Sequence, residues 1–388
     1  MSSFDLSFYR GRRVLVTGHT GFKGSWMCRV LTLLGAEVYG YALDPGGVLA
    51  SAADMADAVS GQPSLSDIIK PVTPCLLNAS HSRIADIRDF DSLKAFFDET
   101  RPEIVIHMAA QPIVRESYKD PRYTYEVNVM GTVNVLECCR LTPSVKSIVN
   151  VTTDKVYRND ESGEAFAEDL FLDGYDPYSN SKSCSELVSA TYRRCWFDEA
   201  DIPMSTCRAG NVIGGGDFAT DRIIPDCYRA ASKHEDIIVR NPYSTRPYQH
   251  VLEPVVAYLV VAMEQYRDHA LAGAYNIGPD DESCINTGGM TDLFCSKWEK
   301  HAGYRPVWIN KHDGGPHEAG FLKLDNTKFK QTFGYGPVWD IDTAVDKTVE
   351  WYAVYAEASE ASGGAGCEAD VISCMDRQIQ EFTGEIKR

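Results

Sequence analysis

The sequence predicts an α/β protein, a doubly wound parallel sheet over residues 1–210 followed by a smaller C-terminal lobe over residues 211–388, with some elements returning to the main sheet. Three observations lead there. A short apolar run at residues 14–17 is followed at once by Gly18, Gly21 and Gly24, then by an amphipathic stretch at residues 25–34. Through the first half, short apolar runs alternate with helical patterns. After Gly210 the texture changes to short segments punctuated by glycine and proline.

Each element follows from its own pattern. The glycines after the first strand allow a tight turn, so backbone N–H groups and the N-terminus of the next helix can approach a pyrophosphate closely. Residues 37–43 read as a second strand, 91–100 as a helix, 104–107 as a strand, 123–140 as a helix and 147–152 as a strand. A helix at 178–196 and a strand at 204–208 continue the alternation. Short buried strands separated by helices imply parallel pairing, because a parallel crossover needs about a helix's length of chain. Beyond them Gly214-Gly215-Gly216 reads as a loop, and Pro225, Pro242, Pro247 and Pro254 divide the remainder. Two stretches look like insertions. Residues 45–82 are long for a connection between strands, with a helix expected over 50–59. Residues 357–368, rich in Ala, Ser, Gly and Glu, are expected to form a mobile loop.

The formal charge of −17 argues against a nucleic-acid or anionic-membrane partner. The longest apolar run, residues 255–263, is far too short to cross a bilayer. The twelve cysteines form no C-x-x-C pair and mostly sit in apolar stretches. They read as reduced core thiols; with a polar start over residues 1–13, the expectation is a cytoplasmic protein. Asn78 and Asn150 match the glycosylation sequon, which is read as coincidence. No group of residues has metal-ligand spacing; His312 and His317 sit in a loop without partners, so no metal is expected.

Two clusters carry chemistry. Tyr178 and Lys182 stand at i and i+4 and share a helix face. A phenol ionises near pH 10. A neighbouring ammonium and a nicotinamide cation would favour the phenolate, which could take a proton from an alcohol as hydride leaves the carbon. The lysine has the reach for the nicotinamide ribose. Thr153, Asp154 and Lys155 follow the strand at 147–152. Ligands bind outside the carboxyl ends of strands in open α/β sheets, so these polar residues are expected to face a substrate. Asp154 could protonate a leaving hydroxyl, and Thr153 could hydrogen-bond a sugar hydroxyl. The bland alternative is a turn or helix cap made by Thr and Asp.

The stretches VTGHTGFKGSW (16–26), YGYALD (39–44), HMAAQPIVR (107–115), NVMGTVNVL (128–136) and TDKVY (153–157) resemble the extended short-chain dehydrogenase/reductase superfamily. YDPYSNSK (175–182), RAGNVIGGGD (208–217), IVRNPYSTRPYQHVLEP (238–254) and PHEA (316–319) extend the likeness over about residues 8–356. Within the superfamily the chain is most similar to the CDP-glucose 4,6-dehydratase group. That resemblance implies a Rossmann domain that binds NAD, a C-terminal substrate-binding lobe, and a nucleotide-sugar substrate. It implies a cycle of C4 oxidation, loss of water across C5–C6 and return of the hydride to C6, with Tyr178 as proton acceptor and Asp154 as acid. The related dTDP-glucose dehydratases carry Glu where Lys155 stands; Lys155 is either the base at C5 or an electrostatic stabiliser of the enolate. Cofactor contacts are expected from Gly18, Thr20, Gly21, Phe22, Lys23, Gly24, Asp44, Asp86, Ile87, Ala109, Ala110, Tyr178 and Lys182. NAD is favoured over NADP, although Lys23 could tolerate a 2′-phosphate. Substrate contacts are expected from Gln111, Arg208, Asn211, Arg240, Arg246, His250 and Glu318, the three arginines being candidates for the diphosphate. His250 is as readily a structural histidine. Val156 and Arg158 depart from the group's motif. A homodimer is expected through the helices at 123–140 and 178–196, which carry apolar residues on more than one face. The competing functions are a 4-epimerase, another nucleotide-sugar dehydratase, and a catalytically silent NAD-binding regulator. The Asp154–Lys155 pair argues against the epimerase, and the intact Tyr178, Lys182, Thr153 and Asp154 against the regulator.

Overall fold

The computed structural model describes residues 4–44, 64–159, 163–311, 322–362 and 368–386. β1 (Arg13–Thr17) runs into the glycine turn and α1 (Phe22–Leu33), and β2 (Glu37–Ala42) follows. The described part of the first insertion forms α2 (Leu65–Ile69) and α3 (Pro74–Leu77), and leads into β3 (Ser82–Ile84). The helix expected over 50–59 lies outside the described residues. Then come α4 (Phe90–Thr100), β4 (Ile104–His107), α5 (Val114–Lys119), α6 (Pro121–Tyr125), α7 (Gly131–Arg140) and β5 (Ser147–Thr153). A π-helical turn, Glu126–Met130, joins α6 to α7, so the helix expected at 123–140 is one continuous element. α8 (Pro177–Tyr192) and β6 (Met204–Ala209) complete the first half.

The lobe that follows has β7 (Val212–Ile213), α9 (Ile223–Ala231), β8 (Ile237–Val239), β9 (Thr245–Pro247), β10 (Gln249–His250) and α10 (Leu252–Arg267). It continues through β11 (Ala274–Ile277), β12 (Cys284–Asn286), α11 (Thr287–Ala302), β13 (Trp308–Asn310), α12 (Thr327–Phe333), α13 (Ile341–Ser362) and α14 (Glu368–Ile386). Seven strands form one sheet in the order β11-β6-β5-β4-β1-β2-β3, every pairing parallel. The chain starts at β1, runs outward to β3, and returns to β4 on the other side of β1. The strand order therefore reverses between β1 and β4, which opens a crevice at their carboxyl ends. β11 re-enters the sheet beside β6 from the second half of the chain. Three two-stranded pairs, β7–β10, β9–β12 and β8–β13, lie outside it.

All seven positions of β5 are buried, as a strand covered on both faces requires. One covering helix, α10, is buried nearly all round, which explains its unbroken apolar run. The Gly214–Gly216 loop is glycine because helices crowd it: Trp26 Nε1 donates to Gly215 O at 3.0 Å, and a Cβ on Gly215 would lie 2.0 Å from the Trp351 ring. The insertion is packed into the core through Leu65, Ile68, Ile69 and Cys75. Arg29 of α1 fastens it. The guanidinium donates to Val72 O at 2.6 Å and to both carboxylate oxygens of Asp376 in α14, at 2.7 and 2.5 Å.

The loop expected at 357–368 is corrected at both ends, and residues 363–367 lie outside the described residues. Residues 357–362 are the last turns of α13 and Glu368 begins α14. Its Ala and Glu, taken as signs of a linker, are good helix formers. The described cysteines are all free and mostly buried. Asn150 is fully buried and donates to Ser185 and Ser189, so its sequon is inaccessible in the fold. No helix among the described residues is long and apolar enough to cross a membrane, and none of their His, Cys, Asp and Glu cluster as metal ligands would.

Candidate active site

The crevice between β1 and β4 is walled by backbone. Gly18 has φ +76°, and a Cβ there would lie 2.8 Å from Ala109 N. A Cβ on Gly24 would lie 2.0 Å from Gly18 O. Gly21 caps α1 without a side-chain hydrogen bond, which leaves the first N–H groups of the helix, at Phe22 and Lys23, open to an anion. Thr20 Oγ1 donates to Leu43 O at 2.8 Å and ties the turn to the end of β2, with the exposed Asp44 next in the chain. Asp86 is held by Arg88 at 2.8 Å, and Ile87 is buried against Gly131, where a Cβ would lie 2.4 Å from it.

His107, which sequence reasoning missed, sets the far wall. Thr17 Oγ1 accepts from Met108 N at 3.1 Å and Ala109 N at 3.2 Å, so its own proton goes to His107 Nδ1, 2.7 Å away. His107 Nε2 therefore carries the hydrogen and donates to Thr132 Oγ1 at 3.1 Å. Burial, with Lys182 nearby, pushes this imidazole down to about 3 and keeps it neutral. The result is a rigid Met108–Ala110 loop facing the glycine turn. This cradle, which any Cβ at Gly18 or Gly24 would fill, fits a dinucleotide pyrophosphate.

The reactive side chains converge where β5 and β6 end and α8 begins. Thr153 Oγ1 and Lys155 Nζ both donate to Asp154 Oδ1, at 2.9 and 3.0 Å. Asp154 Oδ2 is buried with no hydrogen-bond partner among the described residues, and faces Gly210, where a Cβ would lie 3.5 Å away. Tyr178 is half-buried, and its phenol is pushed up to about 12 by burial, with the neighbouring Thr153 and the charge of Arg222 pulling the other way. The expectation of a depressed phenol is thus not met by the protein alone, because Lys182 turns its ammonium to Val151 O at 3.3 Å. Lys182 is itself pushed down to about 8 by burial and by Lys23. Lys23 is pushed down to about 8 by burial, and its neighbours are Arg222, Asp154, Lys155 and Asp217. Those charged neighbours belong to the reactive end of the crevice.

Two further charged groups belong to this centre and carried no spacing signal: Arg222, paired with Asp217 at 2.7 Å, and Glu186, one turn after Lys182 on the same helix face. Glu186 accepts from Thr152 at 2.5 Å and from Thr206 at 2.7 Å, and pairs with Arg208 at 2.9 Å. Arg208 is thereby corrected. It is 4 % exposed, with its guanidinium also on Tyr157 Oη and Glu168 O, because the buried Glu186 carboxylate needs a counter-charge. His250 is fully buried between Trp26 and Trp339 and pushed down to about 3 by burial, as the structural reading expects, while its Nε2 has no hydrogen-bond partner among the described residues.

Gln111 spends its side chain on Ile113 N and Thr124 Oγ1, shaping the loop after β4. Asn211 presents a buried Oδ1 without a partner among the described residues. Arg246, on β9, is buried and donates to Thr245 O at 3.0 Å; the next residue, Pro247, sits against Gly210. Arg240 joins Asp221 and lies 3.7 Å from Asp226. Glu318 falls outside the described residues.

A family model described as GDP-mannose 4,6 dehydratase matches residues 15–348. A CDP-glucose 4,6-dehydratase of Salmonella typhimurium is 40 % identical over 390 residues, covering 99 % of each chain. The structure of UDP-glucose 4-epimerase from Thermus thermophilus in complex with NAD superposes with a TM-score of 0.68 at 24 % identity, over 88 % of this chain and 98 % of that one. A dTDP-glucose 4,6-dehydratase from Bacillus anthracis, also solved with NAD, gives 0.66 at 19 % identity over 89 % and 98 %.

Proposed function

The chain belongs to the GDP-mannose 4,6-dehydratase family of nucleotide-sugar dehydratases, and from that premise we propose that it converts CDP-glucose to CDP-4-keto-6-deoxyglucose with NAD. NAD, when bound, accepts the hydride from C4 and returns it to C6. Gly18, Gly21, Gly24 and the open N-terminus of α1 hold its pyrophosphate, Asp44 its ribose, and Ile87 with Asp86 its adenine. Lys182 reaches the nicotinamide ribose.

Tyr178 takes the proton of the C4 hydroxyl. Its phenol is raised by burial and by the charges of Asp154 and Asp176, and Thr153 and Arg222 favour its ionised form. Asp154 protonates the hydroxyl that leaves C6. The observation that carries this role is its buried, unpartnered Oδ2 at the strand ends. A buried polar atom without a partner is costly, and a ligand hydroxyl relieves it. Lys155 acts at C5. Its Nζ lies 3.0 Å from Asp154 Oδ1, which sets it beside the acid as base or as electrostatic stabiliser of the enolate. Asn211 and Arg246 are the substrate contacts best supported by position, Arg246 for the diphosphate.

The test is a panel of nucleotide-hexoses with added NAD, read as 4-keto-6-deoxy product. CDP-glucose should give the highest kcat/KM. Faster turnover of another nucleotide would overturn the cytidine assignment, and inversion at C4 without loss of water would make the chain an epimerase.

A further inference from the structure

The stretch between β7 and α9, residues 214–222, crosses the crevice between β1 and β4. At its start a Cβ on Gly214 would lie 3.2 Å from Phe22 Cζ, in the helix that follows β1. At its end Asp221 meets Arg115 of α5, the helix that follows β4, with Oδ1 3.9 Å from Nη1. The middle of the stretch is fixed to its own lobe. The Phe218 ring lies among Tyr228, Trp351, Tyr352 and Tyr355, at 5.3–6.3 Å between centroids. Arg229 donates to Phe218 O at 3.1 Å and to Ala219 O at 3.3 Å, and Tyr352 Oη donates to Asp217 O at 2.5 Å.

Beyond that anchor the chain reaches outward. Asp221 takes the left-handed conformation, φ +60°, which a short polar side chain tolerates. Its carboxylate is shared between two guanidiniums, Arg240 from its own lobe and Arg115 from across the crevice. Arg240 is within hydrogen-bonding distance and Arg115 is not, so the contact across the crevice is the looser of the two and the first to open. The cycle proposed above returns to C6 the hydride taken from C4, so the reduced cofactor has to be retained between the two transfers. We propose that Arg115 is a positioning residue: by its charge it latches Asp221, and so holds residues 214–222 closed over the bound dinucleotide. This rests on the crevice being the NAD site, and gives Arg115 and Asp221 a task separate from the chemistry at C4, C5 and C6.

The test follows NADH fluorescence on the full chain with no sugar present. Arg115 and Asp221 are 29 % and 39 % exposed, and an exposed ion pair is weak, so Arg115→Ala should speed NADH release by about fivefold and leave the association rate within about twofold. Arg115→Lys keeps the charge and should release NADH as wild type does. Asp221→Asn, which tolerates the same backbone conformation, should speed release to a similar extent, and adding Arg115→Ala to it should change nothing further. Salt should speed release from wild type more than from Arg115→Ala, because it screens an exposed pair. Equal release from wild type and Arg115→Ala, additive effects of the two substitutions, or an Arg115→Lys protein as fast as Arg115→Ala overturns the latch. NADH binding by wild type tests the crevice as a dinucleotide site and the ratio of release rates tests the latch, so the two readings fail separately.

Discussion

At Asp154 one carboxyl oxygen is held by two donors and the other is buried with none. That asymmetry separates elimination from oxidation. Asp154→Asn keeps the shape and removes the transferable proton. With substrate deuterated at C4, the variant should still reduce bound NAD, read as NADH absorbance, while 6-deoxy product falls by about 10²–10⁴-fold. If NADH falls in the same proportion, Asp154 positions the sugar instead. At this scale the sequence was most legible where function is local. Three glycines in seven residues, and Tyr and Lys one helical turn apart, announce themselves by spacing alone. For Arg208 and His250 a motif says nothing of what else a side chain touches. Glu186 claims one, and Trp26 with Trp339 encloses the other. Arg222 and His107 act through partners distant in sequence, which spacing does not register.

Elements were read well where burial sets the pattern. β1, β4 and β5 fall within a residue of their expected limits because strands covered on both faces carry a short apolar run at their centre. The elements misread or unforeseen belong to the insertion and the C-terminal end. α2 and α3 are too short to show a period of their own and owe their place to their neighbours, while α14 buries one regular face, Val371, Cys374, Met375, Gln378, Ile379 and Phe382. Arg29 is their common fastening, and its side chain is 8 % exposed against 23 % for Asp376. Asp376→Ala leaves the guanidinium buried with only Val72 O. It should cost about 3 kcal/mol in chemical denaturation, the low end for a broken buried pair because Asp376 is partly wet. A loss below about 1 kcal/mol would mean that the apolar contacts of α14 hold it unaided.

At the scale of the molecule, three imidazoles among the described residues are buried and neutral, His107 and His250 pushed down to about 3 and His19 to about 4. The unfolded chain binds their protons below about pH 6.5 and the folded chain does not, so their contribution is complete above that pH and is lost as pH falls toward 3–4. Glu253, pushed up to about 8 by burial, works in the opposite sense, one group against three. The urea midpoint should therefore fall steadily from pH 6.5 to 4; a flat profile would show that these rings are solvated. On the outside, Met130 and Leu187 are 53 % and 56 % exposed on the joined α6–α7 element and α8. Covered by a second copy they would form a four-helix contact, so light scattering should give twice the chain mass, and Leu187→Glu should halve it. The fastening of Arg29 has one more consequence. Its partner lies 347 residues further along the chain. While the protein is being synthesised, the helix that begins the cofactor crevice carries a cation whose counter-charge has not yet been made. The nascent first half cannot bury that face without stranding the charge. That face of α1 is therefore expected to dock only once α14 has been made, and contact at such separation makes its docking a late event.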